Sequence, residues 1–144
     1  MMTLEVSGIM VKNVVTFTVK DSVEKIAKEM TKKNISCVVI IDKKGKPISV
    51  ITERDLLKKI VSKGITIKGL IAKNIMSDGL ITVQGNENVF RAAALMEKKK
   101  IRRLPVVDKT GKLIGLVTET DIVKSLTNVA KYLNDKLIEY ITTA

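Results

Sequence analysis

Two threonine–aspartate pairs, Thr52 with Asp55 and Thr118 with Asp121, are the residues whose types and spacing best suit chemistry in this chain. Each pair stands where a short apolar run gives way to a helical pattern: Ile-Ser-Val-Ile-Thr-Glu-Arg-Asp over 48–55, and Leu-Ile-Gly-Leu-Val-Thr-Glu-Thr-Asp over 113–121. The spacing fits a capping box, in which the threonine accepts from an early helix N–H and the acid answers it, worth about 1 kcal/mol per helix. A second use fits the same place. A strand end that feeds a helix opens a crevice, and the helix start offers free N–H groups there. A fixed carboxylate in that crevice repels a phosphate but accepts hydrogen bonds from paired hydroxyls, so it suits a ribose. Phosphates would need basic groups close by, and Arg102 and Arg103 supply them at the start of the second unit's strand. At the matching place in the first unit, Ile35, Ser36 and Cys37 are small or apolar and could line a flat adenine pocket. Capping and ligand binding do not exclude each other.

Other chemistries find little support. The chain has no histidine, which removes Ser-His and Cys-His nucleophile pairs and the usual zinc sets. Cys37, the single cysteine, lies in the apolar run Cys-Val-Val-Ile-Ile and reads as a buried, inert thiol. No internal disulfide can form, which fits a reducing, cytoplasmic compartment. The start, Met-Met-Thr-Leu-Glu-Val-Ser, lacks the pattern of a signal peptide. No apolar run approaches the length of a membrane span. We therefore expect no enzyme activity, no metal, no required cofactor and no membrane partner. The net charge of +11 favours anionic partners, although many lysines, such as Lys25, Lys28 and Lys32, recur at helical spacing on an outward face.

The elements that must position these residues are written twice. Met10 and Met76 open matching segments, and an offset of 66 residues holds without a gap to Lys58 and Lys124. It pairs Ile9 with Ile75, Thr16 with Thr82, Val23 with Val89, Ala27 with Ala93 and Met30 with Met96. It goes on to pair Ile35 with Ile101, Asp42 with Asp108, Gly45 with Gly111, Glu53 with Glu119, and the two Thr/Asp pairs with each other. Each copy begins with an extended piece, 13–17 or 79–83. An amphipathic helix follows over 22–33 or 88–100, with Asp21 and Glu24 as the first helix's start signal. Then come a buried strand over 37–41 or 104–107, a turn closed by Gly45 or Gly111, a strand over 47–51 or 113–117, and a second helix from Thr52 or Thr118. The fold class is α+β: two pseudo-symmetric β-α-β-β-α units, each marginal alone, packed sheet to sheet around a shared core with equivalent grooves on either side of the pseudo-axis. We place the division at 1–66 for the first repeat with its lead-in and 67–144 for the second with a helical extension. Residues 62–73 read as a packed linker with a short helix. Beyond Leu126 the last helix keeps an apolar stripe that must be covered by its own module or by a second subunit.

The doubled unit, with Ile101-Arg-Arg-Leu-Pro-Val-Val-Asp108, Gly111 and Gly115-Leu-Val-Thr-Glu-Thr-Asp121, resembles the CBS domain, and the tandem arrangement resembles a Bateman module. The resemblance runs from about Ile9 to Leu126. It implies a site for an adenosine-containing ligand such as AMP, ADP, ATP or S-adenosylmethionine. In the family the motif's Asp holds the ribose hydroxyls with the Thr beside it, which carries over to Asp121 with Thr118 and to Asp55 with Thr52. The resemblance also implies composite pockets: Val14, Val15, Ile35, Ser36 and Cys37 would wall the Asp121 site, and Leu80, Ile81, Ile101, Arg102 and Arg103 the Asp55 site. Arg102 and Arg103 match positions that reach phosphate. Copy one departs from the pattern. It has Ser49 where the family prefers Gly, it lacks the Arg pair and the Pro of copy two, and it has Arg54 where copy two has Thr120. Those departures favour the Asp121 site.

Three readings of function compete. The first is a stand-alone regulatory module that senses adenine nucleotides for a downstream protein. The second is a nucleic-acid-binding protein acting through its basic surface, against which stand its four scattered aromatics, Phe17, Phe90, Tyr132 and Tyr140. The third is a structural module that works by forming a homodimer.

Overall fold

The computed structural model describes residues 4–143. Two three-stranded sheets form, and the offset of 66 maps one onto the other. In the first, β1 (Thr16–Phe17) lies parallel to β2 (Cys37–Ile41), which pairs antiparallel with β3 (Pro47–Thr52). The helices of this half are α1 (Val23–Lys33) and α2 (Glu53–Leu56), which runs into a π-helical turn over Leu57–Val61. After α3 (Ala72–Ile75) the second half repeats the plan: β4 (Val83–Gln84), α4 (Val89–Lys99), β5 (Arg103–Val107), β6 (Leu113–Thr118) and α5 (Glu119–Thr143). The extended pieces expected over 13–17 and 79–83 pair only at their ends, because each meets its parallel neighbour for two residues.

Local chemistry explains the boundaries. Ser22, and not Asp21, caps α1, accepting from Lys25 N–H at 3.1 Å. Asp21 instead accepts from Thr18 N–H at 2.7 Å and closes the preceding turn. Asn88 caps α4. The hairpins turn on Gly45 (φ 79°) and Gly111 (φ 88°), where a positive φ is required. Asp42 and Asp108 bind backbone N–H groups across those turns. Hydrogen bonds hold both carboxyls below the usual aspartate range, led at Asp42 by Lys46 N–H and at Asp108 by the Thr110 hydroxyl.

The interior divides into two clusters, where one shared core was expected. Val23, Ile26, Met30, Val38, Ile40 and Ile51 fill the first. Val89, Ala92, Met96, Leu104, Val106 and Val117 fill the second. Strand alternation sends Val38 and Ile40 to the helix side of their sheet and Val39 to the opposite face, yet Val39 and its counterpart Pro105 are fully buried. The two halves cover those faces against each other, and Leu113 N–H donates to Gly45 C=O across the seam at 3.0 Å.

The lead-ins are exchanged. Residues 4–11 dock on the second half: Val6 N–H donates to Glu87 C=O, Ser7 N–H to Gly85 C=O, and Val89 N–H to Leu4 C=O. Residues 70–77 dock on the first half with the same bonds, Ala72 to Asp21, Lys73 to Val19 and Val23 to Leu70. Val6 is buried in the second cluster, and Ala72 and Ile75 are buried in the first.

Candidate functional site

Both Thr/Asp pairs form the capping geometry. Thr52 N–H and Thr52 Oγ1 donate to Asp55 Oδ2 at 2.8 and 3.1 Å, and Asp55 N–H donates back to Thr52 Oγ1 at 3.3 Å. Thr118 N–H and Oγ1 donate to Asp121 Oδ2, both at 2.9 Å, and Asp121 N–H returns the bond at 3.3 Å. One carboxylate oxygen of each aspartate is thereby fixed. The strand before each pair is tied to the other strand's start, since Glu53 N–H donates to Ser36 C=O and Glu119 N–H to Arg102 C=O.

The other oxygens differ. Asp55 Oδ1 lies 3.5 Å from Lys59 Nζ, and that ammonium also donates to Ile75 C=O at 2.6 Å and Ser77 Oγ at 2.7 Å. Lys59 stands in the π-helical turn, where Ser62 N–H reaches back to Leu57 C=O. Ser125 occupies the place of Lys59 in the second copy, and among the described residues Asp121 has no ion pair.

A cleft of about 620 Å³ opens over Asp55. Thr52, Asp55, Leu80, Ile81, Ile101, Arg102 and Arg103, named from sequence for this site, all line it. Ser36, named for the other site, lines it too: Arg103 Nη2 donates to Ser36 Oγ at 2.9 Å, joining the two repeats. Among the described residues Arg103 has no carboxylate partner. Arg102 reaches outward to Glu119 at 3.6 Å and is largely exposed. Sequence reasoning passed over Arg54 as a lining residue and missed Lys100, Asp78 and Ser77, as well as Lys59, which reaches the cleft through its bonds to Ser77 and Asp55. The four-residue step from Asp55 to Lys59 was the available signal for the last. Lys100 ends α4 in the left-handed region at φ 57° while lining the cleft.

The residues named for the Asp121 site are spread. Val14 lies in a separate hollow of about 470 Å³, with Lys12, Lys43, Lys44, Lys112 and Gly115. Val15 and Ile35 pack against the first core. Cys37 is half-buried, and burial pushes its thiol up against the opposing pull of Arg103. Thr120 is exposed on the first turn of α5. The Gly115 position separates the copies. A Cβ there would stand 2.8 Å from Met10 Cγ and 3.0 Å from Val11 C=O. In copy one Ser49 fits the equivalent place at 2% exposure, and its hydroxyl donates to Ser77 C=O at 3.1 Å.

Among the described residues no helix is long and apolar enough to cross a membrane.

Comparison with known proteins identifies the family of the fold. The family model described as the CBS domain matches residues 6–62 and again 72–128. The chain is 43% identical over 124 residues to MK0525 of Methanopyrus kandleri, covering 86% of this chain and 63% of that protein. It is 34% identical over 129 residues to the CBS domain-containing mitochondrial protein CBSX3 of Arabidopsis thaliana, covering 86% of this chain and 62% of that one. The chain thus spans less than two thirds of these relatives. Among solved structures, CBSX2 in complex with AMP superposes with a TM-score of 0.75 at 27% identity, covering 89% of this chain and 99% of that one. The CBS domain pair of MJ0100, in complex with 5′-methylthioadenosine and S-adenosyl-L-methionine, superposes with a TM-score of 0.77 at 31% identity, covering 89% and 98%. With the family model matched twice at the offset read from the sequence, and with both Thr/Asp junctions in place, the chain belongs to the CBS domain family as a tandem pair.

Proposed function

We propose that the chain is a regulatory module that binds an adenosine-containing ligand in the cleft over Asp55. One observation carries the reading: one cleft between the repeats holds a fixed carboxylate suited to ribose hydroxyls together with an arginine that, among the described residues, has no carboxylate partner. Leu80, Ile81 and Ile101 offer an apolar wall for the base. Arg103, anchored by Ser36, is placed for a phosphate, and Lys59 offsets the Asp55 charge that would otherwise repel one. The complexes of CBSX2 with AMP and of the MJ0100 pair with 5′-methylthioadenosine and S-adenosyl-L-methionine support the ligand class. The proposal moves the principal site from Asp121 to Asp55. Among the described residues Asp121 has no ion pair, and Met10 lies over the Gly115 backbone on its side.

The ligand touches both repeats, so it can favour one arrangement of them over another only through unequal affinity for the two. A regulated protein in the cytoplasm would read that difference; the module itself supplies no catalysis. Calorimetry with AMP, ADP, ATP and S-adenosylmethionine tests the reading, with thermal melting in parallel. A ligand at a hundred times its Kd stabilises the fold by about 2.7 kcal/mol. Asp55→Ala should remove the ligand-dependent shift. Wild-type protein that binds none of the four, or an Asp55→Ala variant with an unchanged shift, refutes the assignment.

A further inference from the structure

α5 runs for 25 residues, about 37 Å at the standard rise, and only its first part rests on the fold. Ile122 is buried and Leu126 packs against the second core, but from Ala130 onward every described residue is exposed. This overhang is apolar on one side. Leu133 is 60% exposed, Leu137 56% and Tyr140 73%. With Val123, Leu126 and Ala130 they are spaced by three and four residues in turn, the a/d pattern of a helix that packs against another helix of the same period. Ile138 and Ile141 widen the stripe.

We infer that the overhang from Ala130 to Tyr140 pairs antiparallel with the same segment of a second copy of this chain. Charge favours a copy as the occupant. The chain carries +11 overall, so two copies repel each other on balance. The stretch 130–143 is the exception: Lys131 and Lys136 are balanced by Asp135 and Glu139, and none of them occupies the seam. Lys136 is further spent on Glu139 at 3.2 Å. Side-chain size selects the direction. In an antiparallel register Leu133 meets the partner's Leu137, and the small Ala130 receives the partner's Tyr140. A parallel register sets Ala130 against Ala130 and Tyr140 against Tyr140, leaving a hole in one layer and a collision in another. It would also bring the two basic modules side by side, whereas the antiparallel pair holds them at opposite ends.

Analytical ultracentrifugation of the full chain across a wide concentration range gives the first test. We expect a reversible dimer for the wild type and a monomer for Leu133→Asp/Leu137→Asp. The melting temperature of that variant at low concentration should match the wild type, because the changed positions touch nothing in the module. Orientation is read by crosslinking in a Cys37→Ser background. Mixed Ala130→Cys and Tyr140→Cys chains should form a heterodimeric disulfide on oxidation, and neither chain alone should. A monomeric wild type overturns the pairing. So does a doubly substituted variant that remains dimeric, since its contact then runs through another face. Homodimeric crosslinks from either single variant overturn the antiparallel register.

Discussion

Lys59 and Asp55 sit one helical turn apart with Nζ 3.5 Å from Oδ1, and the same ammonium holds the Ile75 carbonyl and the Ser77 hydroxyl of the chain entering the second repeat. Copy two places Ser125 at that position, so this contact distinguishes two otherwise matching junctions. Lys59→Ser therefore makes the first junction resemble the second. The variant leaves Asp55 without its cation. AMP affinity should fall about tenfold, equivalent to about 1.4 kcal/mol, while adenosine affinity changes much less. Titration calorimetry with both ligands checks the split. Equal losses for the two would mean that Lys59 acts on the architecture of the cleft and not on the phosphate.

Gly115 and Ser49 hold equivalent places, and substitution at either should cost stability for a different reason. Gly115→Ala puts a Cβ 2.8 Å from Met10 Cγ and 3.0 Å from Val11 C=O, and overpacking of this kind typically destabilises by 1–3 kcal/mol, roughly. Ser49→Gly removes a hydroxyl bonded to Ser77 C=O, a loss of about 1 kcal/mol. Urea denaturation of both variants measures the difference. A Gly115→Ala protein as stable as the wild type would show that Met10 gives way freely.

Lys100 carries backbone strain at the rim of the cleft. Its φ of 57° lies in the left-handed region, which disfavours an ordinary L side chain by roughly 1–2 kcal/mol. The pseudo-equivalent residue is Asn34, at φ 52°, a residue type that tolerates this conformation. Lys100→Asn should raise the melting temperature slightly. If Lys100 also reaches the ligand's phosphate, AMP affinity drops in the same variant, so the two measurements belong together.

Acid stability should rest partly on turn carboxylates. Asp21, Asp42 and Asp108 are all held below the usual aspartate range, chiefly by Thr18 N–H, by Lys46 N–H and by the Thr110 hydroxyl respectively. A carboxyl with a lowered folded-state value binds protons more readily in the unfolded chain. Its contribution is therefore complete above the ordinary aspartate value and is lost as pH falls through the lowered one. Asp42→Asn and Asp108→Asn should lower the melting temperature at neutral pH, leave it nearly unchanged at the acid end, and so flatten the acid limb of the profile. A limb of unaltered slope would assign acid unfolding to other groups.

Much of the fold could be read in the chain because duplication prints the same residues twice. The offset of 66 that pairs Gly45 with Gly111 and Asp55 with Asp121 fixed the units, their order and both capping boxes. The first helix's cap was misread as Asp21, since Asp21 and Ser22 are adjacent and either can cap; the backbone geometry chose Ser22. The residues of the Asp55 cleft were named as one set and lie in one cleft. Lys59 and Lys100 escaped notice for physical reasons. A lysine in a chain with 26 basic residues gives no signal by itself, and its role depends on a π-helical turn that periodicity does not announce. The division of the interior was equally hidden. Alternation says that Val39 faces away from Val38 and Ile40, but not what lies on the other side.

The exchanged lead-ins bear on the ancestry of the pair. A repeat cut from this chain has a vacancy in its core where Val6, or Ala72 and Ile75, should stand, and its own lead-in points away from that vacancy. Only another repeat can fill it. A single-unit forebear obeying the same geometry would have folded as a swapped pair, each chain lending its first residues to its twin. Joining two such genes end to end then required no new path for the polypeptide, only the connection across residues 62–71.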